Sequence, residues 1–500
     1  MNSSYSIKIF SSQALFEALS NDYCDNIKVS QQSRANYLSS YLKDLNTKTI
    51  VIENDYTDGD YLEDFASYYV RCYRDYQRRC KRLHFFDAEF DETIFCQCIG
   101  SSRKPDIKKL LGNYQGFVVV RPLPTAIVGR TVLQTYPSDS DRRHYAVVKE
   151  YSANLFGIPL SVSSLAFQEQ DTVLAACATV ALWSAFHKTA DLFGTSSPRP
   201  AEITRIANGV VSTTRAIPSH GLEIRQMAYA IRSVGLEPEL IQASPNVPLV
   251  SLAYSYLKMG LPTILGVKIE GRGMHALTLA GYSERKNRIN QQEVASGEKS
   301  IPLVGLRIDE LYAHDDQIGP FSRLVIKPSS KDYPVLLEGS WQDSQTKKIL
   351  TLQPIFLLVP VYNKIRVTFL DILKWLERMG PLLSLLLTQP QDIEWDVFIT
   401  TNNMMKDSIN KEPFPVDDLK RLLVKQNPRF IWRAILRINS QPLLEFFADG
   451  TDMERSFPFY ELVWHNVDFH EACKKVLDDN RLTNILIELL EQVFYNFLKN

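Results

Sequence analysis

The chain has 500 residues, more than one hydrophobic core usually serves, so two or three domains are expected. Hydrophobic residues make up 45% and charged residues 23%, which excludes a largely disordered or fibrous protein. The 56 basic residues balance 57 acidic ones, so the global charge gives no reason to expect nucleic-acid binding.

Cysteine usage and the amino terminus indicate a protein of a reducing compartment. Seven scattered cysteines are too few for a disulfide scaffold. The first residues lack the charged start, apolar centre and cleavage site of a signal peptide. The longest apolar stretches, such as 354–362 and 381–387, fall short of the roughly 20 residues that cross a bilayer. We therefore expect a cytoplasmic protein with no membrane partner.

Residues 1–155 are predicted to form an α/β region of unknown role. A helix is expected over 61–82, where aromatic and basic residues interleave (YLEDFASYYVRCYRDYQRRCKR). We interpret it as a helix that packs its tyrosines inward and leaves its other face in solvent, not as a nucleic-acid surface. A buried strand is expected at 117–120. Cys96 and Cys98 form a C-x-C pair, but without a second pair at metal spacing they do not predict a zinc site.

From residue 156 the pattern becomes helices followed by strands, which is typical of an α+β domain rather than of alternating βαβ units. A polar stretch, SERKNRINQQEVASGEKS, interrupts the strands and is interpreted as an exposed insertion. We place this central domain at 156–367. Its predicted helices cover 172–193, 221–234 and 249–259, and its predicted strands cover 263–269, 276–281, 303–308, 310–314 and 354–367.

Residues 368–500 are predicted to form a carboxy-terminal α+β accessory region, to which the sequence assigns no chemistry. Because both flanking regions are large, we expect them to recognise a substrate or a partner protein. The predicted helices of the carboxy-terminal region cover 369–379 and 484–498, and its predicted strands cover 397–400 and 430–438.

Cys177 is the candidate nucleophile. It falls near the start of a predicted helix, where the positive end of the helix dipole favours a thiolate. Either Gln168 or Gln170 could place a side-chain amide beside the sulfur as an oxyanion donor. Taken alone, Cys177 is more typical of a buried structural cysteine on an alanine-rich helix. The residues that follow it in the chain change that balance.

A thiol nucleophile needs a base within hydrogen-bond reach and a third group that fixes the tautomer of the base. His275 begins an alternating strand, and Asp315 and Asp316 end a later one. If the two strands are antiparallel, a carboxylate at the end of one faces the histidine at the start of the other. Successive strand residues point to opposite faces, so we expect Asp315 to meet the imidazole and Asp316 to face solvent or cap the turn at Gly319.

The other histidines fit the role of base less well. His187 lies ten residues beyond Cys177 on the same predicted helix, about 15 Å along its axis, so the two cannot pair. His220 precedes a helix in a turn, and His314 should point away from the face that meets the imidazole. The alternative for His275 is a hydrogen-bonded core histidine.

The ordered set of elements resembles papain-like cysteine peptidases of the bacteriocin-processing type. In that family a Gln…Cys helix is followed by a G-L…G helix, a G-x-P strand, an H-x5-G-Y strand and an Asp four residues before a Gly. Here the matching segments are QEQDTVLAAC, HGLEI…SVGLEPEL, MGLPTILGV, HALTLAGY and DDQIG. The resemblance covers about 165–330. It implies that Cys177 is the nucleophile, His275 the general base, Asp315 the orienting carboxylate and Gln170 the oxyanion donor.

Two departures from the family pattern stand out. Ala178 follows the cysteine where the family usually has glycine, and Gln170 lies seven positions before Cys177 where six is usual. Gln168 and Gln170 therefore remain alternatives. The resemblance implies a cysteine peptidase that acts on a protein or peptide through an acyl-enzyme and needs no cofactor or metal. A thiol acyltransferase using the same site and an inactive papain-like binding module are the alternatives.

Overall fold

Three antiparallel sheets of five, eight and four strands, together with a two-stranded hairpin, make up the strand content of the described chain. The mixture of helices with antiparallel strands confirms the predicted α+β class. None of the helices in the described ranges is long and apolar enough to span a membrane. These observations come from a computed structural model that describes residues 4–99, 112–137, 142–171, 177–210, 221–245, 247–285, 302–327, 335–342, 346–386, 393–454 and 457–499.

The amino-terminal sheet has the strand order β1-β2-β3-β4-β5, and every neighbouring pair is antiparallel. The region is therefore α+β and not α/β as predicted, because α/β sheets are mostly parallel. Its strands are β1 (Tyr5–Ile9), β2 (Thr49–Tyr56), β3 (Cys80–Phe86), β4 (Tyr114–Val120) and β5 (Val128–Leu133). Its helices are α1 (Ser12–Leu19), α2 (Asn26–Ser30), α3 (Ser33–Asp44), α4 (Gly59–Ser67) and α5 (Glu92–Cys98).

The helix predicted over 61–82 is wrong in its extent. Helix α4 ends at Ser67, a 3-10 turn follows at Tyr69–Arg71, and β3 begins at Cys80. The segment CKRLHFF is held between β2 and β4, and this pairing outweighs any local helical tendency. The predicted inward packing of the tyrosines holds only in part, since Tyr61 and Tyr69 are buried but Tyr73 is fully exposed.

The central sheet closes on itself. Strand β10 pairs with β11 on one side and with β15 on the other, so six strands from β10 to β15 form a ring to which β6 and β9 add at β11 and β15. The strands are β6 (Arg143–His144), β9 (Leu236–Gln242), β10 (Thr263–Ile269), β11 (Gly273–Glu284), β12 (Ile308–Asp315), β13 (Gly319–Lys327), β14 (Leu336–Gln342) and β15 (Ile349–Tyr362). The separate hairpin is β7 (Lys149–Leu155) with β8 (Ile158–Ser164).

Four helices accompany this ring: α6 (Cys177–Phe193), α7 (Pro200–Ala207), α8 (Ile224–Ser233) and α9 (Leu249–Leu257). The predicted start of α6 at 172–176 lies outside the described residues. The strand predicted at 303–308 is wrong, because Val304–Arg307 form a 3-10 turn. Gly305 presses this turn onto α9, where an added Cβ would lie 2.2 Å from the Ser251 hydroxyl. The turn therefore packs on the helix and does not extend the sheet.

The carboxy-terminal sheet has the order β16-β17-β18-β19. The single helix predicted over 484–498 is two helices, because Glu491 adopts a left-handed φ of 64° between them. The strands are β16 (Ile393–Thr401), β17 (Phe430–Ile438), β18 (Gln441–Asp449) and β19 (Phe459–Trp464). The helices are α10 (Phe369–Glu377), α11 (Gly380–Leu386), α12 (Asn402–Ile409), α13 (Val416–Val424), α14 (Val467–Leu477), α15 (Thr483–Leu490) and α16 (Gln492–Lys499).

The predicted domain boundaries at 155 and 367 stay a prediction. Hairpin β7–β8 crosses residue 155. One cluster of buried side chains runs through all three regions and includes Leu42, Leu277 and Phe446. The three sheets therefore share apolar packing, which stabilises their arrangement.

Histidines whose pKa is lowered inside the protein make the fold sensitive to acid. Burial lowers the pKa of His84 to about 4 and that of His187 to about 3. The unfolded chain, with a histidine pKa of about 6.5, binds more protons below that pH, so stability falls as the pH falls from 6.5 toward 4. Each group should cost about 2 kcal/mol between pH 7 and pH 5.

His187→Leu isolates this effect. The His187 Nε2 atom has no hydrogen-bond partner among the described residues, and its ring packs against Trp183 and Tyr151. When the pH falls from 7 to 5, the free energy of unfolding should decrease by about 2 kcal/mol less in the variant than in the wild type. Urea denaturation at the two pH values measures this difference. Equal losses in the two proteins would show that His187 is not held neutral.

Candidate active site

Cys177 stands at the beginning of the described part of α6 and is partly buried. Helix α6 packs against β11, and the Thr278 hydroxyl donates a 2.8 Å hydrogen bond to the Ala181 carbonyl. Ala178, the residue at which the sequence departs from the family pattern, is buried. The helix that carries the thiol is therefore fixed directly to the strand that carries His275.

His275 lies near the start of β11, opposite Val267 of β10, and is 5% exposed. Its Nε2 atom is 3.0 Å from Asp315 Oδ1. The Cys177 side chain is close enough to the imidazole to contribute to the raised pKa of His275. Because Nε2 faces the carboxylate, Nδ1 is the ring nitrogen left for the thiol. The imidazole thus lies between a sulfur and a carboxylate.

The strand register brings Asp315 to this imidazole. Strands β11 and β12 are antiparallel, as the sequence predicts, with Thr278 opposite His314. Continuing that register places Asp315 opposite Leu277, diagonal to His275 on the same face. The Asp315 carboxylate also accepts hydrogen bonds from the Trp341 indole at 2.6 Å and from the Gln317 backbone N–H at 3.0 Å. Three donors therefore hold this carboxylate in one orientation.

Asp316 does not face solvent, and that expectation is wrong. It is 3% exposed, its Oδ1 atom lies 3.4 Å from His275 Nε2, and neither carboxylate oxygen has a hydrogen-bond partner among the described residues. The pairing of β12 with β13 is irregular between Ala313 and Asp315, which breaks the alternation of faces just before the turn. Both carboxylates consequently approach the same ring nitrogen.

The turn after these carboxylates is tightly packed. Gly319 closes it opposite Asp315, and an added Cβ at this glycine would lie 2.1 Å from the Tyr37 ring of α3. The Tyr37 hydroxyl donates to the Pro320 carbonyl at 2.8 Å. The amino-terminal region therefore supports the turn that presents Asp315 and Asp316, and only glycine fits at the point of contact.

The charges in this cluster shift two pKa values. Burial opposes the charged form of His275, but the Asp315 carboxylate, the hydrogen bond with Cys177 and Asp316 outweigh it and raise the pKa of His275 well above its usual value. Burial, assisted by the charge of Asp315, raises the pKa of Asp316 to about 7 although His275 acts in the opposite direction. The cluster therefore favours an imidazolium beside the thiol at neutral pH.

The two candidate oxyanion donors lie in the extended segment that precedes Cys177. Phe167 exchanges backbone hydrogen bonds with Thr131 of β5, which fixes this segment against the amino-terminal sheet. Gln168 is 2% exposed, whereas Gln170 is only partly buried. Residues 172–176, which link the segment to Cys177, lie outside the described residues, and Gln168 and Gln170 remain alternatives.

The competing histidines lie elsewhere. His314 Nε2 lies 3.0 Å from the Leu165 carbonyl, and its Nδ1 accepts from the Phe321 N–H, so the ring is structural. Burial lowers the pKa of His314 to about 4. His187 packs against Trp183, and His220 lies outside the described residues. Among the histidines that the structure describes, only His275 lies at the Asp315 and Asp316 carboxylates.

Trp341 is the site residue that sequence reasoning missed. Its ring lies edge-on to the His275 imidazole at 5.3 Å between centroids, in addition to its bond to Asp315. The Arg272 guanidinium lies over the indole ring, 5.3 Å from its centre. The residue sits in β14, in the segment LLEGSWQ, whose spacing carries no catalytic signal. The pairing of β12 with β13 and of β13 with β14 places it near the carboxylate.

The same cluster contains the residues best placed to hold a metal ion. One ligand atom from each of His275, Asp315 and Asp316 lies within 4.8 Å of the other two, and all three residues are buried. No other group of three His, Cys, Asp or Glu side chains in the described ranges has this proximity. Cys96, from the C-x-C pair, is hydrogen-bonded to the Tyr5 hydroxyl at 2.9 Å instead.

Comparison with known proteins identifies no relative. No protein-family model matches the chain, and no curated protein matches it significantly in sequence. The functional argument therefore depends on the geometry of Cys177, His275 and Asp315.

Proposed function

We propose that the chain is a papain-like cysteine hydrolase, most consistent with a peptidase, in which Cys177 is the nucleophile. The observation that carries the proposal is the His275 imidazole, which lies 3.0 Å from the Asp315 carboxylate and also interacts with the Cys177 side chain. A thiol nucleophile, a base and a group that orients the base are the three parts that such chemistry requires. Asp315 is itself held by Trp341, so the base has one fixed orientation.

The reaction follows from these positions. The raised pKa of His275 favours an ion pair in which the imidazole already holds the proton of Cys177, and the thiolate attacks the carbonyl carbon of the substrate. The resulting oxyanion needs N–H donors, a role for which Gln168 and Gln170 are the candidates. The imidazolium then donates its proton to the leaving amine, and an acyl-enzyme remains on sulfur. Water, activated by the neutral imidazole, hydrolyses that thioester and restores the thiol.

A protein or peptide is the proposed substrate, and the proposed reaction uses no cofactor. The site lies where α6 packs against the strand ring. The helix therefore forms one side of the site, and the ring forms the other. The amino-terminal region contacts the turn at Gly319 through Tyr37, which places this region next to the site. We also propose that the flanking regions recognise the substrate or a partner protein. We further propose that the protein is cytoplasmic.

Selective alkylation tests the nucleophile. At pH 6 an ordinary thiol with a pKa of about 8.5 is less than 1% thiolate, and it reacts slowly with iodoacetamide. Cys177 should react first, at least ten-fold faster than Cys96. Cys96 is a stringent comparison because it is exposed and therefore accessible to the reagent. Peptide mass spectrometry after short reaction times reports each cysteine separately.

The matched variants make the result specific. Cys177→Ser should remove the fast phase, and Cys96→Ser should leave it unchanged. If Cys96 or Cys72 reacts before Cys177 in the wild type, Cys177 is not an activated thiol and the hydrolase proposal fails. An activity-based thiol probe that labels the wild type and not Cys177→Ser would support acyl-enzyme chemistry directly.

A further inference from the structure

We propose that His275, Asp315 and Asp316 form a binding site for a divalent transition-metal ion such as Zn²⁺, and that the bound ion blocks the reactivity of Cys177. The first part concerns three buried side chains and is independent of any catalytic activity. The second part depends on the proposed function, because it assigns a regulation to the same imidazole. The metal site and the inhibition of Cys177 are tested by separate experiments.

The spacing of the ligand atoms fits a shared ion. His275 Nε2 lies 3.0 Å from Asp315 Oδ1 and 3.4 Å from Asp316 Oδ1. Two ligands about 2.1 Å from one metal ion are about 3.0 Å apart in octahedral geometry and about 3.4 Å apart in tetrahedral geometry. Two of the three separations therefore match those of ligands on one ion, and the three ligand atoms lie within 4.8 Å of one another.

Asp316 is the observation that points to a missing cation. Both of its carboxylate oxygens are buried without a hydrogen-bond partner among the described residues, which is unfavourable for a group that can carry charge. Asp315, by contrast, already accepts from three donors. Arg34, whose charge also acts on Asp316, forms its ion pair with Glu169. A bound metal ion would give Asp316 the partner that the protein does not supply.

The donor set selects the class of ion. One imidazole nitrogen and two carboxylates suit Zn²⁺ or another first-row divalent ion, and the two negative charges cancel the charge of the metal. Trp341 and the Gln317 N–H hold Asp315 from behind, as outer partners hold ligating carboxylates in metal sites. Cys177 is not a ligand in this arrangement, because it contacts the imidazole and the metal would bind on the side facing the carboxylates.

Metal binding at Nε2 would inactivate the base. The ion takes the Nε2 lone pair and displaces the proton on that nitrogen into solvent. A neutral imidazole bound through Nε2 carries its remaining proton on Nδ1, the nitrogen that faces the thiol. That nitrogen can then only donate, so it cannot accept the proton of Cys177. The thiol would stay protonated and unreactive while the metal is bound.

Zn²⁺ binding to the full-length chain, measured by calorimetry, tests the site. The wild type should bind one ion at this site, and the nearly isosteric Asp316→Asn should weaken that binding at least ten-fold while thermal unfolding confirms that it is folded. Cys177→Ser should bind Zn²⁺ as tightly as the wild type. Co²⁺ bound in place of Zn²⁺ should show no sulfur-to-cobalt charge-transfer absorption.

Three results would overturn the metal site: no Zn²⁺ binding by the wild type, equal binding by folded Asp316→Asn, or loss of binding in Cys177→Ser. The inhibitory part is tested by adding Zn²⁺ during alkylation, which should slow Cys177 labelling at least ten-fold, with EDTA restoring it. Zn²⁺ that binds without slowing the labelling would overturn the inhibition alone. Slow labelling of Cys177 without metal, together with Asp316-dependent Zn²⁺ binding, would overturn the hydrolase proposal and leave the metal site intact.

Discussion

His275→Ala is expected to slow the alkylation of Cys177 at pH 6 by about 100-fold and to abolish any peptidase turnover. Without the imidazole, the thiol should approach the behaviour of a free cysteine, of which only about 0.3% is thiolate at that pH. Proton transfer by a positioned base contributes a further 10²–10⁴-fold to turnover, so activity should be affected at least as strongly as labelling. Pseudo-first-order labelling rates, followed by mass spectrometry, measure the effect.

The variant should remain folded, because the neighbours of His275 hold the strand in place. Val267 of β10 pairs with it, and Leu277 and Leu279 of β11 are fully buried. His187→Leu is a suitable control, since it removes a partly buried histidine that lies ten residues along α6 from the thiol. Unchanged labelling in folded His275→Ala would end the assignment of the base. Loss of folding together with loss of labelling would instead indicate a structural histidine.

Asp315→Ala should have the second large effect, a loss of labelling rate on the order of 10²-fold. The variant removes the acceptor for His275 Nε2 and frees the ring to rotate away from the thiol. It also leaves the Trp341 indole N–H and the Gln317 backbone N–H without their acceptor, at about 1–3 kcal/mol for each buried donor. Thermal unfolding should therefore show a lower midpoint alongside the slower labelling.

Asp315→Asn should be less damaging than Asp315→Ala but not neutral. Asparagine keeps one carbonyl oxygen, which can accept from His275 and Gln317 as Asp315 Oδ1 does. Its amide nitrogen would then face the Trp341 N–H, and two donors would meet where Oδ2 now accepts at 2.6 Å. If Asp316→Ala eliminated labelling while Asp315→Ala retained it, the orienting residue would be Asp316. If neither mattered, the site would be a Cys–His pair.

The local parts of the site could be predicted from the sequence. The alternation in HALTLAGY identified the strand of His275, and β10 and β17 have the predicted bounds. Antiparallel pairing of β11 with β12 was the condition for His275 and Asp315 to meet, and the structure has it. Period-two patterning carries this information because each residue of a strand faces a definite side.

What could not be predicted depends on distant pairing or on irregular backbone. Trp341 reaches the carboxylate from β14, which lies two strands away from β12 in the pairing order β12-β13-β14. The burial of Asp316 follows from a register irregularity that leaves no mark on hydrophobic alternation. The helix predicted over 61–82 is shorter than expected because the last residues of that range belong to β3, which pairs with both β2 and β4. Local propensity does not encode these long-range partners.

The site has two parts: the groups carried by the strand ring and the thiol carried by α6. His275, Asp315 and Trp341 lie on strands β11, β12 and β14 of one circuit that has no free end, so none of these strands can slide without moving its neighbours. Cys177 lies on a helix that is docked onto this circuit through packing and the Thr278–Ala181 bond. The base and its orienting groups therefore behave as a rigid body. A movement of α6 relative to the ring would therefore change the gap between sulfur and imidazole, and the Thr278–Ala181 bond restrains that movement.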